Sequence, residues 1–210
     1  MIQFTCPGCG RAFAVPEQYA GRRANCKNCG GPIVVPNDNG MATEPHPAAP
    51  AMPPRVPMRT RRLQADAKQM SEIFAGSEMI KVKPIAGEPP EAYQVEYSVR
   101  SLERGRGGKP IARDKHLVEI RLTSDYPRLS PQCKMLTPVF HPNIDPTTIC
   151  VGDHWTAGER LVDLTVRIGE MLAYQAYNIQ SPLDAEAAMW ADLNQPKLPT
   201  DPRPLRPGDA

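Results

Sequence analysis

Four cysteines within the first 29 residues constrain this chain more than any other feature. They stand as Cys6-Pro7-Gly8-Cys9 and Cys26-Lys27-Asn28-Cys29. Two Cys-x-x-Cys turns at this separation let four thiolates converge on one Zn²⁺ in a tetrahedral, structural type of site. The rival, a redox dithiol, needs only one such turn. Gly8, Gly10 and Gly30 relieve the backbone where amides must turn toward sulfur. A 36-residue unit has too little core to fold unaided, so the metal belongs to its stability. The spacing predicts a zinc ribbon over residues 1–36, with Cys6, Cys9, Cys26 and Cys29 as ligands. Phe4, Phe13 and Tyr19 are expected in its small core. Arg11, Arg22, Arg23 and Lys27 make only a thin basic patch.

Proline divides the rest. The chain has 25 prolines in 210 residues, more than twice the roughly 5% of an average protein, and they cluster. Pro45, Pro47, Pro50, Pro53, Pro54 and Pro57 mark residues 37–57 as an extended linker, which can be neither helix nor central strand. Pro196, Pro199, Pro202, Pro204 and Pro207 mark 194–210 as a disordered or loosely draped tail. Between them, 58–193 reads as a packed domain. A net charge of +2 is too mild to point to nucleic acid. No apolar run is long enough to cross a membrane, and the first residues do not resemble a signal peptide, so a cytoplasmic protein with reduced thiols is expected.

The periodicity of 58–193 predicts an α+β fold. Leu63, Ala67, Met70 and Phe74 share one helix face, and Gly76 follows as a stop. Tyr93, Val95, Tyr97 and Val99 alternate with polar residues as a strand. Residues 104–109 read as a hairpin loop. Val118, Ile120 and Leu122 form a second strand, and Cys133 and Met135 begin a third. Leu161, Leu164, Ile168, Met171 and Leu172 predict a second helix. Ala185 to Leu193 predicts a third, with Met171, Met189 and Trp190 expected in the core.

Chemistry is concentrated between the third strand and the second helix. Tyr126-Pro127-Arg128-Leu129-Ser130-Pro131 leads to His141-Pro142-Asn143, then Ile149-Cys150-Val151, then Trp155-Thr156. An irregular segment on a rigid scaffold is a good place for a reactive group. A thiol there can act as a nucleophile, and an asparagine amide nearby can donate to a developing oxyanion. His154 would complete a Cys-His pair of the hydrolase kind only with an orienting partner, and none is evident. Asp153 reads as a solvated carboxylate, Cys133 as core and Trp155 as a packing anchor.

These motifs resemble the core of the ubiquitin-conjugating enzymes. The shared elements are the Tyr-Pro loop, the His-Pro-Asn turn, the Ile-Cys segment, the Trp-Thr step and Pro182-Leu183 before the last helix. The resemblance covers about 58–193. It implies an antiparallel sheet packed on helices, with the zinc ribbon as an appendage. It also implies that Cys150 accepts a ubiquitin-like protein as a thioester from an activating enzyme and passes it to a lysine. Asn143 would then support the oxyanion or hold the active-site loop. Ser181 would stand beside the incoming lysine, and His141 would hold the turn. Arg104-Gly105-Arg106-Gly107-Gly108-Lys109 replaces the family's Tyr-x-Gly-Gly element. The segments on either side of Cys150 are shorter than usual. Both departures suggest a divergent, bacterial-type branch. The ribbon is expected to dock a ligase or target. The alternatives are a non-catalytic binding module on the same fold and a zinc-ribbon nucleic-acid-binding protein.

Overall fold

In the computed structural model, residues 1–37, 56–151 and 155–208 are described. The chain divides into two compact units, Met1–Pro54 and Arg55–Ala210. Most of the expected linker, together with Asp153 and His154, lies outside the described residues.

The first unit is two short hairpins. Strand β1 (Ile2–Thr5) pairs antiparallel with β2 (Ala12–Val15), and β3 (Arg23–Asn25) pairs with β4 (Pro32–Val34). Its buried apolar residues are few: Ile2, Ile33 and Val35 beside the sulfurs of Cys6 and Cys26. Phe4 and Phe13 face each other across β1 and β2 and stack at 5.8 Å. Tyr19, expected in this core, is 41% exposed and carries the Arg22 guanidinium 5.7 Å above its ring. Three strand residues on each arm of β3–β4 leave no interior for a third aromatic.

The second unit opens with helix α1 (Met58–Phe74), whose inner face is Leu63, Asp66, Met70 and Phe74. A four-stranded antiparallel sheet follows. It runs in the order β10 (Gln132–Met135), β9 (His116–Arg121), β6 (Ala92–Tyr97), β5 (Ile80–Ala86). The register sets Val95 opposite Val118 and Val82, and Ile120 opposite Tyr93 and Cys133. One sheet face is therefore a continuous apolar layer. Tyr93, Val95, Tyr97, Val118 and Ile120 are at most 1% exposed. Helix α2 (Leu161–Leu172) packs into the same core through Leu161, Leu164, Ile168 and Leu172. A separate hairpin, β7 (Ser101–Arg104) with β8 (Pro110–Arg113), carries the basic glycine-rich loop at its tip.

Helix α3 (Ala185–Leu193) is capped by Asp184, whose carboxylate accepts the Ala187 N–H at 2.9 Å. Its buried face is Ala187, Ala188 and Ala191. Met189, expected in the core, is 62% exposed, because the small residues make the contact and the large ones point outward. Trp190 is half-buried against Phe140.

Residues beyond α3 depart from the loosely draped tail that their prolines suggest. Asp201 and Leu205 are buried. The Asp201 N–H donates to the Ala173 carbonyl at 3.1 Å, Gln175 donates to the Arg203 carbonyl at 2.9 Å, and Arg206 pairs with Asp163. The prolines stiffen a segment that runs along the body of the unit. Among the described residues, no helix is long and apolar enough to cross a membrane.

Candidate active site and metal centre

Between β10 and α2 the described residues form no helix or strand, yet their backbone is well paired. His141 bridges to Ile144, and Ile144 bridges to Ile149. The Ile149 N–H donates to the Cys133 carbonyl at 3.1 Å, and the Cys150 N–H donates to the Asn143 carbonyl at 3.0 Å. Leu183 and Asp184 both donate to the Pro142 carbonyl, at 2.8 and 3.1 Å. The structure thus brings His141, Asn143, Cys150 and Ser181 together from separate parts of the sequence.

Each has a distinct environment. Cys150 is half-buried and borders two cavities. One, of about 540 Å³, runs past Glu119, Lys134, Thr148 and Leu183. The other, of about 220 Å³, is enclosed by Asn143, Arg167, Met171, Tyr177, Asn178 and Ser181. Asn143 is 5% exposed. Its Nδ2 donates to the Asn178 carbonyl at 2.7 Å and to the Ser181 carbonyl at 3.4 Å. Its Oδ1 accepts the Asn178 N–H at 2.7 Å. Ser181 is exposed at the rim.

His141 is fully buried, with its ring 4.7 Å from Tyr174. Burial depresses its pKa to about 3, although the Met171 carbonyl opposes the shift. Its Nδ1 accepts the Asn143 N–H at 3.1 Å, which leaves the proton of the neutral ring on Nε2. Cys133 is buried in the core, and burial pushes its thiol up to about 12.

A second set of residues supports the segment that follows Cys150. Arg62 of α1 pairs with the buried Asp66 at 2.7 Å and donates to the Ala157 carbonyl at 2.8 Å and to the Glu159 carbonyl. The Tyr126 hydroxyl donates to Asp66 at 2.5 Å, and Tyr126 packs against Trp155 at 5.7 Å. The Trp155 indole N–H reaches the Pro127 carbonyl at 2.9 Å. Sequence reasoning missed Arg62, Asp66 and Arg167. The only signal was an acid on the apolar face of α1 and a lone cation among the leucines of α2.

In the first unit the four sulfurs of Cys6, Cys9, Cys26 and Cys29 all lie within 4.8 Å of one another. Cys6 and Cys29 are 3.7 Å apart, and Cys9 and Cys26 are 3.8 Å apart. Tetrahedral Zn–S bonds of about 2.3 Å set sulfurs about 3.8 Å apart, so the cluster fits that ion. The two turns repeat one geometry. Gly10 and Gly30 donate back to Cys6 and Cys26 with φ of 70° and 72°, a region that a side chain would strain. Backbone amides lower the thiol pKa of Cys9 to about 6, chiefly through Arg11, and lower that of Cys26 through Cys29. Asn28 donates to Cys9 at 3.5 Å and accepts from Arg11 at 3.1 Å.

Known proteins agree with this architecture. The family model for ubiquitin-conjugating enzymes matches residues 88–199. Ubiquitin-conjugating enzyme E2 S of Branchiostoma floridae is 30% identical over 117 residues, which cover 51% of this chain and 54% of that protein. The chain spans about half the length of this curated relative. A Plasmodium yoelii protein described as a ubiquitin conjugating enzyme shares the fold, with a TM-score of 0.50, 19% identity and coverage of 68% of this chain and 88% of that one. A structure described as a novel ubiquitin-conjugating enzyme gives 0.49 and 21%, over 67% and 94%. With a family match over more than half its residues, the chain belongs to the ubiquitin-conjugating enzyme family.

Proposed function

We propose that this chain carries a ubiquitin-like modifier as a thioester on Cys150 and transfers it to a lysine amine. The observation that carries the reading is the position of Cys150 between two cavities. Acyl transfer needs two approaches to one sulfur, one for the acyl group and one for the amine. The larger cavity has room for an extended C-terminal tail, and the smaller for a lysine side chain but not for a folded domain.

The surrounding residues take roles that fit their environments. Asn143 holds the loop over 178–181 against the His-Pro-Asn turn, since both ends of its amide are engaged there. His141 is a neutral strut. Ser181 stands where an incoming amine would pass. Proximity and desolvation help that amine lose its proton before attack. The four N-terminal cysteines hold Zn²⁺, which supplies folding energy to the ribbon. The partners are an activating enzyme and the modifier, with a ligase or target docked by the ribbon.

The test is a charging assay with ATP, an activating enzyme and a ubiquitin-like protein, read on a non-reducing gel. A thiol-sensitive adduct is expected, lost in Cys150→Ala and thiol-resistant in Cys150→Ser. No adduct, with the activating enzyme itself charged, would refute the reading.

A further inference from the structure

The larger cavity beside Cys150 takes its floor from the sheet register. Strand side chains alternate, so Glu119 and Arg121 of β9 and Gln132 and Lys134 of β10 share the outer face of the sheet. Antiparallel pairing sets Lys134 directly opposite Glu119 and Gln132 directly opposite Arg121. The far wall is the segment that ends at Cys150, where the Ile149 N–H donates to the Cys133 carbonyl of β10. The charge on this floor is unbalanced. Among the described residues that line the cavity, Glu119 is the only carboxylate, against two cations, Arg121 and Lys134. Its side chain is 16% exposed and shared by both, with Arg121 Nη2 at 3.1 Å and Lys134 Nζ at 3.5 Å. The two cations are themselves half exposed. Asp145, in the turn that leads to Cys150, is engaged locally, its carboxylate accepting the Thr147 and Thr148 N–H groups at 2.6 and 2.8 Å. One acid between two bases leaves a surplus of positive charge beside the sulfur.

A chain bound to Cys150 as a thioester and lying in this groove crosses β10 toward β9. Two strand spacings make about 10 Å, which an extended chain covers in about three residues. The third and fourth residues from its carboxyl end therefore come to lie beside Lys134 and Arg121. We propose that the groove selects a modifier whose C-terminal tail carries acidic side chains at those two positions. The inference rests on acyl transfer at Cys150. Lys134 and Arg121 are then specificity-determining residues, which attract an acidic tail and repel a basic one.

The experiment uses the full chain and short peptide thioesters, so it does not depend on the native modifier. Each peptide ends in glycine, which leaves the acyl carbon unhindered, and carries Glu, Gln or Lys at its third and fourth residues from the end. The Cys150 sulfur bonds to the acyl carbon, the C–S bond of the peptide thioester breaks, its thiol departs as thiolate, and the Cys150 proton passes to buffer. The adduct is timed by intact mass. Exposed ion pairs change an equilibrium about 1.5- to 5-fold each, and two are reversed here, so the Glu peptide is expected to charge Cys150 on the order of 10-fold faster than the Lys peptide at low salt. The ratio should approach one near 1 M salt, where the screening length is about 3 Å. Arg121→Gln with Lys134→Gln is expected to abolish the preference, and Arg121→Glu with Lys134→Glu to invert it. Taking the ratio within each variant cancels any change in the reactivity of the thiol. Should the double Glu variant fail to fold beside Glu119, the double Gln variant carries the comparison. The proposal is overturned by equal rates for the three peptides, by a preference for Lys, by a Glu preference that survives the double Gln variant, or by a wild-type rate with the Glu peptide no faster than that of free glutathione. A failure of the broader reading looks different: the Glu preference would persist while no ubiquitin-like protein charges Cys150 from ATP and an activating enzyme.

Discussion

Replacing Arg62 with alanine tests whether α1 holds the segment after Cys150. The Arg62 side chain is 21% exposed and its partner Asp66 only 3%. Its guanidinium serves four groups: the Asp66 carboxylate, the Tyr126 hydroxyl and the carbonyls of Ala157 and Glu159. Breaking a buried ion pair by removing one partner costs about 3–5 kcal/mol, because the other charge stays behind uncompensated. Here Asp66 keeps the Tyr126 O–H and the site is partly wet. The loss should therefore fall lower, about 2–4 kcal/mol. For a domain of this size, each kcal/mol lowers Tm by about 2–4 °C, so a fall of roughly 4–16 °C is expected. Urea denaturation followed by tryptophan emission suits the measurement, since Trp155 sits in the affected cluster. The double variant Arg62→Ala with Asp66→Ala should cost less than the two single changes together, with a coupling of about 1–3 kcal/mol. Limited proteolysis should also cut more readily within 155–160. A single-variant cost under about 0.5 kcal/mol, within the range of ordinary surface changes, would refute the clamp, as would strict additivity.

Two further predictions concern the metal and pH. One Zn²⁺ per chain is expected by elemental analysis, and its removal by a strong chelator should unfold the ribbon while the second unit keeps its transition; an apo-ribbon with dispersed amide signals would oppose this. His141, with its pKa near 3 in the folded state, binds a proton more readily unfolded, so its contribution is complete above about pH 6.5 and declines as pH falls toward 3. The slope is about 1.4 kcal/mol per pH unit, or roughly 2 kcal/mol between pH 6.5 and 5, and burial of His116 shifts that group the same way. Its imidazole signal should not titrate between pH 8 and 5, and a midpoint near 6.5 would contradict the buried neutral ring.

Where sequence reasoning succeeded and where it failed has a physical pattern. Helix α2 was legible because nine of its residues are buried at helical spacing. The alternation of β6 and β9 was equally plain. Strand β5 was missed because Pro84 cuts short the alternation of Ile80 and Val82 with Lys81 and Lys83. Those residues mark an edge strand, where lysine and proline discourage further pairing. The loop of the β7–β8 hairpin was read from residues 104–109, but its two arms escaped because Leu102 is their only buried apolar residue. The tail was misread because proline content reports chain stiffness and is silent about docking, which here rests on Leu205 and a few hydrogen bonds. At the site, Cys150 and the His-Pro-Asn turn stood out as motifs. Arg62 and Arg167 act across 97 and 8 residues of separation, through contacts that no local pattern encodes.

The same logic explains how an irregular segment can hold a reactive thiol firmly. Backbone groups in such a stretch must find partners or lose more than a folded chain can spare. Here the partners come from distant loops. Asn143 stitches the turn to 178–181, and Pro142 accepts from the residues that open α3. Asp184, one of those residues, also caps α3 and pairs with Arg104 at 2.7 Å, while Arg104 lies 4.7 Å over Phe140. Phe140 immediately precedes the His-Pro-Asn turn, and its carbonyl accepts the Tyr174 hydroxyl at 2.6 Å. The turn is thus held at once from just beyond α2, from just before α3 and from the β7–β8 hairpin, and Cys150 is hydrogen-bonded to that turn through its own amide. Arg104 is the first residue of the basic loop that replaces the family's glycine motif. The departure therefore does structural work at the site: its arginine braces the helix cap against which the His-Pro-Asn turn rests.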